Sequence, residues 1–426
     1  MRLLYCWPLA LLGVLAATMA VAAPPPPAPG GTPAALTRAQ AVEQALAQNP
    51  GLRALGRQLE AAEGIRLQAD GFAAPTIYWE FEEADSLSAS DIGSQVFGIE
   101  QSFEWFSVRS ARKQAADFGI AAAQALVERG RMRLTAQVRK AYDEVLLARE
   151  VRRLLDRVLR LTEEAVEISR TRFKAGAGQY VDVMRTRLRQ SQLQNELRDA
   201  TTRLGRAERE LARLLGREGP RLDLRDGLDD DVAGLDGRDW LAQLAERSPS
   251  LQLLQGLVQQ ADYEHQAVRA GRGPELTVGI GRQRVLDNGN TIDSWAGGVS
   301  LSLPLPGSDR QDGLEAEALA RYYAMSDQAR AKRLEIDATY RQRLDEARAL
   351  DAQLRQYRDS ILPDADDQLK AAQQAYRVRR IDALNLLDVF ATYTEARRGY
   401  LEVLVRYRAA IADLETLGED LWEVEL

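Results

Sequence analysis

The chain has 426 residues, 45% of them hydrophobic and 6% aromatic, with 56 Lys and Arg against 63 Asp and Glu for a net charge of −7. That balance argues against nucleic acid as a partner, because phosphate binding needs a basic surface. One His and one Cys in the whole sequence exclude most His- and Cys-based catalysis and metal binding.

Residues 1–22 read as a secretory signal. Arg2 supplies the positive start, Leu9 to Val21 is an apolar core interrupted only by Gly13 and Thr18, and Ala20-Val21-Ala22 offers small residues for cleavage. A Pro-rich segment, 23–35, follows with Pro24 to Pro27 and Pro29. Cys6 leaves with the signal. The mature chain is then cysteine-free, and loss of Arg2 takes its net charge from −7 to −8. An exported protein without a disulfide framework is either soluble in the periplasm or held in a membrane. No later stretch has the unbroken apolar run of a transmembrane helix, so a membrane form must cross as β-strands.

The mature chain repeats itself. Asn49-Pro50-Gly51-Leu52 recurs as Ser248-Pro249-Ser250-Leu251, and Pro75 recurs as Pro274, both prolines at an offset of 199. This divides the chain into a first repeat (36–216), an acidic linker (217–238), a second repeat (239–421) and a short tail (422–426). Each repeat opens with a helix rich in Ala, Leu and Gln, over about 37–72 and 239–271. Two short alternating segments follow, then a very long helix (about 107–174 and 310–377), a tight break and a second long helix. At 1.5 Å per residue the very long helices reach on the order of 100 Å. Pro363 predicts a kink or short break in the second of them.

Leu193, Leu197, Ala200, Leu204, Ala207, Leu211 and Leu214 are spaced alternately four and three apart, a coiled-coil seam. Ile336, Tyr340, Ala347, Leu350, Leu354, Tyr357 and Ile361 form a similar stripe. An ordinary helical bundle core would show the same periodicity.

Residues 75–83, 95–105, 275–284 and 295–303 alternate with period two and predict strands, joined by polar turns at Asp85 to Ser94 and Asp287 to Ser294. Their apolar faces carry Ile77, Trp79 and Phe81; Phe97, Ile99 and Phe103; Leu276, Val278 and Ile280; and Val299 and Leu301. At 9–11 residues each segment has the length of a tilted bilayer-spanning strand, and these side chains would then face lipid. Soluble hairpins packed on a helix would show the same alternation. Four strands cannot close a barrel, and open edges are not tolerated in lipid, so the membrane form must pool strands from several chains.

The mainly α chain with a small β part, built as tandem helix–hairpin–helix repeats, resembles the TolC-like outer membrane efflux protein family. The resemblance covers the mature chain from Leu36 to about Leu421. Its most specific pieces are Leu36-Thr37-Arg38-Ala39-Gln40-Ala41 with Asn49-Pro50, Arg172-Phe173-Lys174-Ala175-Gly176 leading to Val181-Asp182-Val183, Gly298-Val299-Ser300-Leu301-Ser302-Leu303-Pro304, and the closing helix from Tyr376 through Leu387-Asp388-Val389 to Tyr400-Leu401. The resemblance implies a homotrimer in which four strands per chain form a twelve-stranded barrel in outer membrane lipid, above a periplasmic α-barrel. It implies a periplasmic adaptor protein and an inner-membrane pump as partners, and a passive duct without catalytic chemistry or cofactor.

The resemblance further implies adaptor-facing tips at Phe173, Lys174, Gly176 and Gly178 in the first repeat and at Tyr376, Arg379 and Arg380 in the second. Gly176 suits a left-handed helix end, whereas Arg379 at the matching place leaves the second tip's geometry open. Asp182 and Asp388 fall where the family places aperture carboxylates, with Asn385 and Arg185 standing where further carboxylates could have been. Their alternative role is to face water or pair with nearby arginines. Phe103-Glu104 followed by Arg109 and Arg112 resembles the CzcC-like heavy-metal branch, although Trp105-Phe106-Ser107-Val108-Arg109 replaces that branch's Gly-Gly-Lys-Arg.

His265 stands alone and reads as structural. The acidic run Asp226 to Asp239 lacks a bidentate Glu, since Trp240 fills that place, and reads as a solvated linker rather than a calcium loop. No metal site is predicted. The expected function is the outer membrane channel of a tripartite efflux system for small molecules or heavy-metal cations. A type I protein-secretion duct of the same fold and a soluble periplasmic coiled-coil scaffold remain as alternatives.

Overall fold

The computed structural model describes residues 35–84, 92–219, 222–229, 234–235, 240–287, 290–302 and 309–421. The predicted signal, nearly all of the Pro-rich segment, the loop 85–91, Asn288-Gly289, Leu303-Pro304 and the tail 422–426 lie outside the described residues.

The first repeat begins with α1 (Arg38–Gln48) and α2 (Pro50–Asp70), where the sequence predicted one helix. Asn49 ends α1 and caps α2, its Oδ1 accepting from the Gly51 and Leu52 amides at 2.8 and 3.2 Å. Pro50 at the first position of α2 has no N–H to donate back into α1, so the helix must restart there. The second repeat breaks in the same way between α5 (Trp240–Arg247) and α6 (Pro249–Ala270), with Ser248 as the cap. Each cap also ties its junction to the end of its own repeat. Asn49 Nδ2 donates to the Leu214 carbonyl at 3.0 Å, and Ser248 Oγ donates to Glu419 at 2.8 Å.

Strands β1 (Thr76–Ala84) and β2 (Ile92–Phe103) form one antiparallel hairpin, and β3 (Glu275–Asp287) and β4 (Asn290–Ser302) the other. β2 pairs with β3, giving a four-stranded antiparallel sheet in the order β1-β2-β3-β4. The pairing runs beyond the predicted strands into their polar ends. Val285 pairs Ile292 and Asp287 pairs Asn290, so most of the predicted turn Asp287 to Ser294 is strand. Backbone ladder bonds, rather than side-chain alternation, extend the hairpin there.

The long helices are α3 (Phe106–Lys174), α4 (Tyr180–Leu214), α7 (Asp309–Gln356), α8 (Leu362–Arg377) and α9 (Ala383–Glu415). A single π-helical turn, Tyr357–Ile361, separates α7 from α8 just ahead of Pro363, the place where the missing N–H predicts a break. Both predicted stripes point inward. Leu193, Ala200, Leu211 and Leu214 are buried, as are Ile336, Tyr340, Ala347, Leu350 and Leu354. Leu193 and Ala200 join a cluster shared by α3, α4, α8 and α9, while the second stripe joins a larger core with α1, α3 and α9.

The described part of the linker is anchored in the core rather than wholly solvated. Leu222, Leu224 and Leu228 are buried in that larger core, and Leu224 bridges Leu36 in a short parallel pairing. Asp226 accepts from the Arg38 amide at 2.7 Å and from the Tyr142 hydroxyl at 3.2 Å, and Tyr400 donates to Asp229. Asp226 and Asp229 look solvated in the sequence because their partners are over eighty residues away.

Candidate functional site

The sheet sorts its side chains by register. Cross-strand partners share a face, so the rows read Phe103–Leu276–Leu301, Gln101–Val278–Val299, Ile77–Ile99–Ile280–Gly297 and Trp79–Phe97–Arg282–Trp295 on one side. All the apolar strand positions read from the sequence fall in these rows except Phe81, which lies one row further out. Val299 is 72% exposed and Trp295 73%, and Ile77, Trp79, Phe97 and Ile280 are exposed as well. The soluble-hairpin reading required the chain's own helices to cover this face, and they do not. Trp295, on the same sequence alternation as Val299, shares that face.

The opposite face holds Glu80, Glu100, Ser102, Thr277, Ser300 and a patch of glycines, in rows such as Tyr78–Gly98–Gly281–Ala296. The Tyr78 ring lies across this patch, where a Cβ on Gly98 would stand 2.6 Å from its Cζ. The glycines make room for the ring, and the ring covers the glycines' bare backbone. Below the sheet, Phe72 packs edge-on against Phe103 at 5.7 Å, and the Arg109 guanidinium stacks over Phe72 at 4.1 Å. Arg112 forms an ion pair with Glu104, so both arginines of the metal-branch resemblance brace the strand-to-helix junction.

At the other end of the long helices lie the two hairpin tips. Gly176 has φ +66°, with Ala177 N–H bonding back to the Arg172 carbonyl at 2.9 Å. Arg379 adopts the same left-handed conformation, φ +64°, with Arg380 N–H bonding to the Ala375 carbonyl at 2.8 Å. Both tips therefore close by the same helix-ending motif, and the question left by Arg379 is resolved. Gly178 sits where a Cβ would lie 2.9 Å from that of Arg172. Phe173, Lys174, Arg379 and Arg380 are exposed.

Tyr376 is not a surface residue. It is 2% exposed, its hydroxyl shares a 2.7 Å hydrogen bond with Ser169, and the Arg172 guanidinium stacks 4.4 Å above its ring. It braces the two tips from beneath. The tip surface instead contains Tyr180, Val181, Met184, Val378 and Leu384, all exposed, with Tyr180 against Phe173 at 5.3 Å. Val378 lies within the predicted second tip, between Tyr376 and Arg379; sequence reasoning missed the others, whose signal was apolar residues at helix positions outside the buried seam.

Gly176 and Arg379 hold equivalent places, as do Tyr180 and Ala383 at the starts of α4 and α9. Asp182 is thus the counterpart of Asn385, and Asp388 of Arg185. Each repeat keeps one carboxylate, at different heights along its helix. Asp182 is half-buried, Asp388 and Asn385 are exposed, and among the described residues no side chain of this chain forms an ion pair with either aspartate.

A third feature has no sequence signature: buried acids at mid-height. Asp143 is paired by Arg38 at 2.8 Å and Arg408 at 3.1 Å. Asp413 accepts from Arg343 at 2.7 Å and is paired by Lys140. Glu419 is held by Ser248, Ser250 and Arg129. Burial raises the pKa of all three carboxyls, against the pull of their cationic or hydroxyl partners. These groups join the linker, α1, α3, α7 and the C-terminal end, and are structural. His265 is half-buried in α6. Among the described residues no group of three or more His, Cys, Asp or Glu could hold a metal ion, and no helix is long and apolar enough to cross a membrane.

A repeated long-helix scaffold carrying a small sheet with an uncovered apolar face is the arrangement expected of a protein that meets a membrane through strands. The family model for outer membrane efflux proteins matches residues 41–217 and 240–418, and the chain belongs to that family. The cobalt-zinc-cadmium resistance protein CzcC of Cupriavidus metallidurans is 25% identical over 384 residues, 90% of each chain. Two solved structures share the fold. The outer-membrane channel OprN has a TM-score of 0.78 at 18% identity, covering 89% of each chain. The open state of the MtrE outer membrane channel of Neisseria gonorrhoeae has a TM-score of 0.75 at 21% identity, covering 90% of this chain and 89% of that one. The chain is an outer membrane channel component of tripartite efflux systems, extending into the periplasm, and is a duct rather than an enzyme.

Proposed function

We propose that three copies of this chain assemble into one duct that carries divalent metal cations out of the periplasm. The observation that carries the assembly is a pair of matching open edges. The sheet ends in β1 on one side and β4 on the other. The helices beneath it follow the same order, α2 against α3, α3 against α6 and α6 against α7, which leaves α2 and α7 as outer members. Those outer helices expose Ile65 and Leu67 on α2, and Leu314 and Tyr323 on α7. A rotated copy sets β4 against the next β1 and α7 against the next α2, and three copies of four strands give a twelve-stranded barrel without edges. Its apolar rows, bounded by Trp79, Phe97 and Trp295 at one level and by Phe103 near the helices, face lipid.

At the other end the tips, through Phe173, Lys174, Gly176, Gly178, Arg379 and Arg380, meet the adaptor that links the duct to an inner-membrane pump. Exposed Tyr180, Val181, Val378 and Leu384 supply the apolar contact. Asp182 and Asp388 line the aperture, with Asn385 as a neutral member. That neither aspartate forms an ion pair among the described residues supports a lining role, because three copies bring like charges together and attract cations. The metal cargo is supported by the likeness to the cobalt-zinc-cadmium resistance protein over nine-tenths of both chains. Deleting this chain from its native host should lower tolerance to cobalt, zinc and cadmium several-fold while leaving tolerance to organic drugs unchanged. Heightened drug sensitivity with unaltered metal tolerance would contradict the cargo.

A further inference from the structure

Among the described side chains, the charged groups on the outward sheet face are three, and they lie together at one level. Arg282 shares a row with Trp79, Phe97 and Trp295, and the next row out reads Phe81–Gln95–Arg284–Asp293. The Arg282 guanidinium stands 5.8 Å from the centroid of Trp295. Asp293 pairs with Arg284 at 3.1 Å and with Arg282 at 3.7 Å. Among these three groups one carboxylate stands between two guanidiniums, which leaves the cluster with a net positive charge, and it cannot occupy the roughly ten N–H donors of two such groups. Both arginines remain about half exposed. The three rows nearer the helices carry no charge at all.

An aromatic row of this kind marks the interface of a bilayer, and arginine keeps its head in that layer while its stem lies along apolar surface. The groups found at that depth are lipid phosphates, which a guanidinium fork grips with two parallel bonds. Resting on the reading above that this face meets lipid, we propose that Arg282 and Arg284, with Trp295 beside them, form a binding site for the phosphate of an anionic lipid headgroup in the distal leaflet. The site lies wholly on β3 and β4, so each copy contributes a complete one. Asp293 orders the two forks and competes with the phosphate for them.

The test is native mass spectrometry of the full-length protein in detergent, titrated with bisphosphorylated lipid A and, as a neutral control, phosphatidylcholine. Arg282→Gln with Arg284→Gln should reduce lipid A adducts roughly tenfold and leave phosphatidylcholine adducts unchanged. Asp293→Asn, which removes the competitor, should increase lipid A adducts and serves if the double variant assembles poorly. Wild-type adduct levels in the double variant, or no gain in Asp293→Asn, would overturn the site; so would equal displacement of the lipid by inorganic phosphate at matched concentration. Quenching of tryptophan emission by lipid brominated on its acyl chains, reduced by Trp295→Phe, separates the two readings. No quenching would contradict the lipid-facing sheet itself, whereas quenching with unaltered adducts would contradict only the arginine site.

Discussion

Arg379 holds a left-handed backbone conformation that costs a residue with a Cβ about 1–2 kcal/mol, while its counterpart Gly176 holds it at no such cost. The same exchange occurs at the other helix ends, where Gly216 in the first repeat is answered by Leu417 in the second. Arg379→Gly should therefore stabilise the second tip by about 0.5–1 kcal/mol, after the added freedom of the unfolded glycine is subtracted. Thermal melting in detergent reads this, and a lower melting temperature would show that the arginine is held by contacts worth more than its strain. Asp413 gives a second prediction. It faces Lys140 on α3 and Arg343 on α7, with Asp420 sharing Lys140. Asp413→Ala leaves both cations without their buried partner and should cost about 3–5 kcal/mol. Burial holds the folded carboxyl above its ordinary value, so its contribution is full below that value and is lost as pH rises through the folded one. The melting-temperature difference between wild type and Asp413→Asn should thus move in favour of wild type as pH falls through the folded value toward the ordinary carboxylate range. A difference independent of pH would contradict the raised pKa.

The strands show which elements can be read from a sequence. Alternation located all four, and it sorted Ile77, Trp79, Phe97, Val299 and their partners onto the one face they share. Alternation is a local signal, so it stopped where side chains turn polar although the ladder continues to Asp287 and Asn290. The helix seams were legible for the same reason, and Pro363 marked the break before α8. Three features were not legible. Asn49-Pro50 and Ser248-Pro249 identified the repeat but were read through as helix, although a cap followed by proline is a restart signal. The linker's Leu222, Leu224 and Leu228, and Tyr376 at the tip, are buried by residues distant in sequence. The ion pairs around Asp143 and Asp413 likewise depend on tertiary contacts alone. A charge on the exposed sheet face tests that face directly. Val299→Arg should cost about 2–4 kcal/mol if the position lies at mid-bilayer and should cut the yield of assembled protein. Normal assembly would place Val299 in water.

For the whole molecule, one arrangement accounts for both the open sheet edges and the exposed apolar residues of α2 and α7: a ring of copies around a shared lumen. In the proposed ring Asp182 and Asp388 would converge at the periplasmic end. Replacing both with Ala should change single-channel conductance in planar bilayers and weaken block by multivalent cations; unaltered recordings would remove them from the aperture. The assembly itself is tested most directly by native mass spectrometry of the protein extracted from outer membranes in detergent. The account predicts a mass of three mature chains that survives removal of the detergent. A single chain as the dominant species, recovered from the soluble periplasm, would contradict it.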